Sequence, residues 1–324
     1  LYLDSLHKNT PGADSPADDL FPNLNKKIGL SGVLPIFVPD LNQLHMKALR
    51  FPLFLCLLLC AIGVSAQVNT KKLDWKKERL APGLRWKQVH TQALFDGWQH
   101  LNVLEVNTRK RVLSMAVEKD SLIPTSRMAA QQNALAAVNG GFFNMKEGGS
   151  VSFLKAAGEV MHWSDAKHVA ENSFILGGAL IWAPHQPIQI EYGLPDSTYL
   201  ADTYYNVLLT APVLLKNGQE APLKKTSFND NRHPRTGICL TDRHTILLIT
   251  ADGRHEQALG LNLHEFSTLL KDLGCREAIN LDGGGSTTMY IKGKPDSGVV
   301  NMPSDNKRFD HEGERKVANA LLIH

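Results

Sequence analysis

The sequence has no run of like charges and little net charge. Its 35 basic and 32 acidic residues leave a formal +3 over 324 positions, which gives no electrostatic case for a nucleic-acid partner. Lys71-Lys72 and Lys76-Lys77 are short pairs suited to a solvated face. Cysteine is scarce, four in all, and no Cys or His falls at metal-ligand spacing, so neither a metal nor another cofactor is expected. No apolar run is long enough for a comfortable membrane span. What remains is an ordinary globular balance, 43% hydrophobic and 21% charged.

The apolar run Phe51 to Ala61 follows Met46, Lys47 and Arg50 and precedes Val64-Ser65-Ala66. A basic start, a short apolar stretch and small residues at a cleavage site predict a secretory signal peptide over residues 46–66. The expected product is an exported chain, periplasmic or extracellular, with no transmembrane segment after cleavage. A lipoprotein anchored on Cys60 ranks second, because Leu59 is bulkier than the residue a lipobox carries there. Residues 1–45 read as an upstream translation artefact or a disordered leader, and 67–324 as one catalytic domain. Cys239 and Cys275 then remain in an oxidising context. Both lie in apolar segments, so a disulfide and two buried thiols are both open readings.

The stretch from Leu273 to Tyr290 organises the domain. Leu263, Phe266, Leu269, Leu270 and Leu273 recur at helical spacing, and Gly274 stands where a helix ends. Ala278 to Leu281 predicts a short buried strand ending at Asp282. Gly283, Gly284 and Gly285 then remove three side chains, which suggests that something approaches the backbone closely. This stretch is either a ligand loop built on a carboxylate or a wide turn capped by its own Asp. Earlier, Thr125 or Ser126 is placed to cap a helix running through Met128 to Ala136. Asn139-Gly140-Gly141-Phe142-Phe143 follows a short apolar strand and echoes the later arrangement, predicting two loops at the ends of neighbouring strands. His233-Pro234-Arg235-Thr236 stands at the mouth of another strand, where Arg235 offers a fork for phosphate or takes part in a structural ion pair. Asp252-Gly253-Arg254 ends the next strand, and residues 301–315 form a polar loop.

Taken in order, these landmarks resemble the phosphodiester glycosidase family from about Thr125 to Ile323. The resemblance implies an α+β fold, with mixed or antiparallel β-sheets and a few helices in a single catalytic domain. It implies a hydrolase that releases a sugar from an anomeric phosphodiester, with a phosphorylated glycan or sugar-1-phosphodiester as partner. Asp282 is then the first choice for the catalytic carboxylate, with Asp252 and Glu147 as candidates for a second. Arg235, with Arg254 behind it, is expected to hold the phosphate, helped by amides of Gly140, Gly141, Gly283, Gly284 and Gly285. Asn139 and Thr236 are expected to orient sugar hydroxyls, with His233 and Ser286 at the same mouth. Two alternatives stay open: a non-catalytic carbohydrate-binding or exopolysaccharide-assembly protein, and a metal-dependent phosphodiesterase.

Overall fold

The structure, a computed structural model, describes residues 68–171 and 177–324. The expectations for the leader and the signal peptide lie outside the described residues. The domain is α+β, and its strands pair antiparallel. An eight-stranded sheet runs in the order Lys76–Ala81, Leu84–Leu94, Gly97–Asn107, Thr245–Ala251, Arg235–Asp242, Glu277–Asn280, Val213–Lys216, Gln219–Glu220. A five-stranded sheet is centred on Asn206–Thr210. A four-stranded sheet places Met289–Ile291, Ala136–Asn139, Asn319–Ile323 and Leu113–Val117 side by side.

Period-two alternation divides the large sheet between two cores. Ile238, Ile246, Leu248 and Ile279 point to one face and join Val138, Leu208 and Leu321 of the other two sheets. Cys239, Leu247, Ile249 and Ala278 point to the opposite face and meet Leu263, Phe266, Leu269 and Leu270. Those four belong to the helix Leu263–Asp272, as their spacing requires. Asn262 and Glu265 close a reciprocal capping box at its start. Gly274, with φ +92°, ends it in the left-handed region. Cys275 then bonds Cys239 in a disulfide that ties the helix end to the strand it covers. That closes the choice left open by the cysteine count.

Two expectations change. The earlier helix spans only Thr125–Gln131, and its cap residue is Pro124, which makes no side-chain cap bond. Glu314, brought in from the far end of the chain, receives the Ser126 N–H at 2.7 Å and its hydroxyl at 2.5 Å. Burial pushes the Glu314 carboxyl above its ordinary pKa, and these bonds pull it back. The helix does not reach Ala136, because Asn133 turns at φ +56° and Ala136–Asn139 is wanted as a buried strand. The two glycine-bearing loops also do not end neighbouring strands of one sheet: 136–139 and 277–280 lie in different sheets. The loops meet nevertheless. The Asp282 N–H donates to the Gly140 carbonyl at 2.9 Å, and Asn139 Nδ2 donates to the Asp282 carbonyl at 2.6 Å.

Candidate active site

Asp282 stands just beyond the buried strand Glu277–Asn280 and is partly accessible, while Asn280 and Leu281 before it are fully buried. The Leu281 N–H donates to the Thr236 carbonyl at 2.9 Å, which fixes the strand end against 235–242. One carboxylate oxygen accepts from the Gly283 N–H at 2.9 Å. The Ser286 hydroxyl is buried close to the carboxylate. Burial pushes the Asp282 carboxyl up to about 6. The Ser286 hydroxyl, the Gly283 N–H and the charges of Arg315 and Arg254 hold it from going higher. A carboxyl tuned to this range serves as a base or nucleophile near neutrality.

Two of the three glycines lie under guanidiniums, and Gly283 lies against the Pro234 carbonyl, 2.7 Å from where a Cβ would stand. Gly284 has φ +60°, and a Cβ there would stand 2.9 Å from the nearest guanidinium nitrogen of Arg254. At Gly285 a Cβ would stand 2.2 Å from a guanidinium nitrogen of Arg315 and 1.9 Å from Asp305 Oδ1. Arg254 itself has φ +63°, a left-handed conformation rare for a side chain of this size. Its side chain is exposed and has no hydrogen-bond partner among the described residues. Arg315 is gripped by Asp305 through two bonds of 2.7 Å. The outcome is one tuned carboxylate between two cations at an open loop. Two surface clefts lie elsewhere. They are lined by Leu135 and Ile291 in one case and by Asn107 and Thr245 in the other, at the opposite ends of the strands.

The sequence profile of phosphodiester glycosidases matches residues 132–324, more than half of the chain. The chain belongs to the phosphodiester glycosidase family. Among curated relatives, N-acetylglucosamine-1-phosphodiester alpha-N-acetylglucosaminidase of Mus musculus is 24% identical over 217 residues, 64% of this chain and 40% of the relative. An uncharacterized prophage-derived protein, YomE, of Bacillus subtilis is 32% identical over 112 residues, 34% of this chain and 16% of the relative. The chain thus spans less than half the length of the curated relatives it matches. The zebrafish N-acetylglucosamine-1-phosphodiester alpha-N-acetylglucosaminidase catalytic domain, solved as auto-inhibited by its pro-peptide, superposes with a TM-score of 0.59 at 20% identity. That match covers 77% of this chain and 88% of that one. A hypothetical protein from Synechocystis gives 0.61 at 14% identity, covering 77% and 63%. At these identities the superpositions speak for the fold.

In this member of the family, several residues picked from the sequence make other contacts. Arg235 is 1% exposed, so its fork does not face solvent. Its Nε and one terminal nitrogen donate to the carbonyls of Leu261, Phe228 and Asn231, and the guanidinium lies 5.0 Å from the centre of the Phe228 ring. Burial and the nearby Arg254 charge lower its pKa to about 10, which still leaves it charged at neutral pH. Its bonds brace the mouth through backbone carbonyls, and it makes no ion pair among the described residues. Asn139 and Thr236 are fully buried and bond each other at 2.8 Å. The Asn139 oxygen also receives the Thr288 N–H at 3.1 Å, so this pair ties two sheets together and does not reach a sugar hydroxyl. The expected nest is mostly filled by the chain itself. The Gly140 and Gly141 amides donate to Asn319, and the Gly284 amide donates to Pro234. Of the five amides, Gly285 alone has no partner among the described residues.

Asp252 is saturated as well. It accepts from His100 Nδ1 at 2.6 Å, Asn301 Nδ2 at 2.8 Å and the Met302 N–H at 3.0 Å, and it is 1% exposed. Glu147 is exposed, bonded to Asn144, on the same loop as Met145, whose sulfur faces Arg315. It therefore belongs to the rim. His233 is half-buried at the mouth. Burial, then Arg235 and Arg254, lower its pKa and keep it neutral at neutral pH. Arg315 and Asp305 were missed. Both lie in the polar loop 301–315, and no periodicity or motif marks them.

Proposed function

We propose that this protein is a hydrolase that releases a sugar from an anomeric phosphodiester. Asp282 between Arg254 and Arg315, each laid on a glycine of one loop, is the observation that carries the reading. An anionic diester is drawn between the two guanidiniums by charge-assisted hydrogen bonds. The Gly285 N–H adds a fixed donor. The phosphate is a good leaving group, so departure needs charge stabilisation more than a strong acid. Ionised Asp282 then supplies the one group the sugar side requires. It either attacks the anomeric carbon or takes a proton from the attacking water, while its charge stabilises the oxocarbenium-like centre. A second carboxylate is not needed in the inner site, in keeping with the saturated Asp252 and the outlying Glu147.

We also propose that the chain acts on exported glycans or glycoconjugates in the periplasm or outside the cell. The Cys239–Cys275 disulfide suits an oxidising compartment. The same chemistry run in ¹⁸O water tests the reaction. Incubation with a panel of sugar-1-phosphodiesters is expected to place the label in the free sugar, with activity unchanged by a chelator. Label in the phosphate, or loss in chelator, indicates a metal-dependent phosphodiesterase. Binding without turnover across the panel indicates a carbohydrate-binding protein.

A further inference from the structure

We infer that Asp305 is a positioning residue of this site: by clasping Arg315 across Gly285, it holds that guanidinium off the Asp282 carboxylate and presents it to a bound phosphate. The inference rests on the reading of Asp282 and the two arginines given above. Arg315 donates from Nε to Asp305 Oδ2 and from one terminal nitrogen to Oδ1, both at 2.7 Å. This is the two-pronged match of a guanidinium to a carboxylate, which sets direction as well as distance. The remaining terminal nitrogen, Nη1, has the Met145 sulfur at 3.9 Å as its neighbour. Met145 is 62% exposed, so Nη1 is covered by a movable thioether at the mouth. A thioether is a weak acceptor, and an incoming phosphate oxygen replaces it readily.

Gly285 makes the clasp possible. Any side chain there would overlap both partners, at 1.9 Å from Asp305 and 2.2 Å from Arg315. Two carboxylates, Asp282 and Asp305, therefore compete for one guanidinium. Around Asp282 the charged groups are Arg315 and Arg254, and Arg254 in turn faces Arg235 and His233. Asp305 wins Arg315 by geometry. Asp282 feels its charge but has no bond from it, and so keeps the basicity the reaction needs. Were Asp305 neutral, Arg315 would turn to Asp282, depressing its basicity and leaving the phosphate with one cation.

The test is a titration of the Asp282 side-chain carbon by NMR in protein labelled at Asp carboxyls, with Asp282→Asn assigning the signal. Asp305→Asn is expected to move the midpoint down by about one pH unit. Inorganic phosphate binding, measured by calorimetry, is expected to weaken about tenfold in the same variant. Asp305→Glu, which keeps the carboxylate, is expected to restore both. The clasp is partly exposed, 23% for Arg315 and 34% for Asp305, so both variants are expected to fold. Thermal melts confirm that. An Asp282 midpoint that stays or rises in Asp305→Asn overturns the inference, as does failure of Asp305→Glu to restore it. These readouts need no turnover. A wild-type protein inactive on every diester overturns the functional reading and leaves this titration legible.

Discussion

Replacing Asp282 with asparagine is expected to stabilise the fold at pH 8 and to do so far less at pH 4. The folded chain holds this carboxyl at about 6, against an ordinary value of 3.8. Between those values the folded state binds the proton more tightly than the unfolded state. The contribution is therefore favourable at low pH and is lost as pH rises through about 6. Asparagine has the same shape and no charge to bury. The advantage of the variant over wild type is expected to grow by about 2–3 kcal/mol between pH 4 and pH 8. Other carboxylates also titrate in this window, but they are common to both proteins and cancel in the difference. Urea unfolding of the two proteins at both pH values measures it. A difference independent of pH refutes the claim that burial governs Asp282. A difference that shrinks as pH rises means that the ionised carboxylate is firmly paired with Arg315 or Arg254 in the folded state.

Arg235→Lys is expected to lose about 2 kcal/mol or more of stability, because lysine cannot reproduce three bonds to carbonyls from a buried side chain. Activity per folded molecule should fall little, and a large kcat loss at unchanged Tm would return Arg235 to the phosphate. Arg254→Ala is expected to leave Tm within a degree or two, since the side chain is exposed, and to raise KM for a diester at least about tenfold. Unchanged KM would remove Arg254 from the site. Replacing both Cys239 and Cys275 with alanine opens a link spanning 36 positions and is expected to cost about 2–4 kcal/mol in chemical unfolding. No measurable cost would show that the bond is absent from the protein as made.

Where a segment carries its own period, the sequence already described it. The helix at 263–272, its end at Gly274, the strand after it and the place of Asp282 at that strand's end follow from spacing and glycine alone. The triple glycine also announced a close approach, though not of what. It admits the protein's own Arg254 and Arg315. Arg315 and Asp305 come from a stretch with no periodicity, and their value lies in a contact with a loop twenty or more residues earlier. Arg235 misled for a related reason. A strand mouth is exposed only if nothing covers it, and here the Phe228 and Leu261 segments fold over it. Asp252 resembled a turn residue or a catalytic carboxylate until His100, from a distant strand, closed on it. Side-chain chemistry is readable locally; burial and pairing between distant segments are not.

On the proposed function, the Asp282 carboxylate does the chemistry between two arginines. The most direct test is kcat/KM of wild type and Asp282→Asn on a sugar-1-phosphodiester, with a thermal melt on each preparation. Wild type is expected to rise in activity as pH passes through about 6, as this carboxyl ionises. The asparagine variant is expected to fold at least as well and to lose about two or more orders of magnitude in kcat/KM. Near-normal kcat/KM in a well-folded asparagine variant would remove Asp282 from the chemistry.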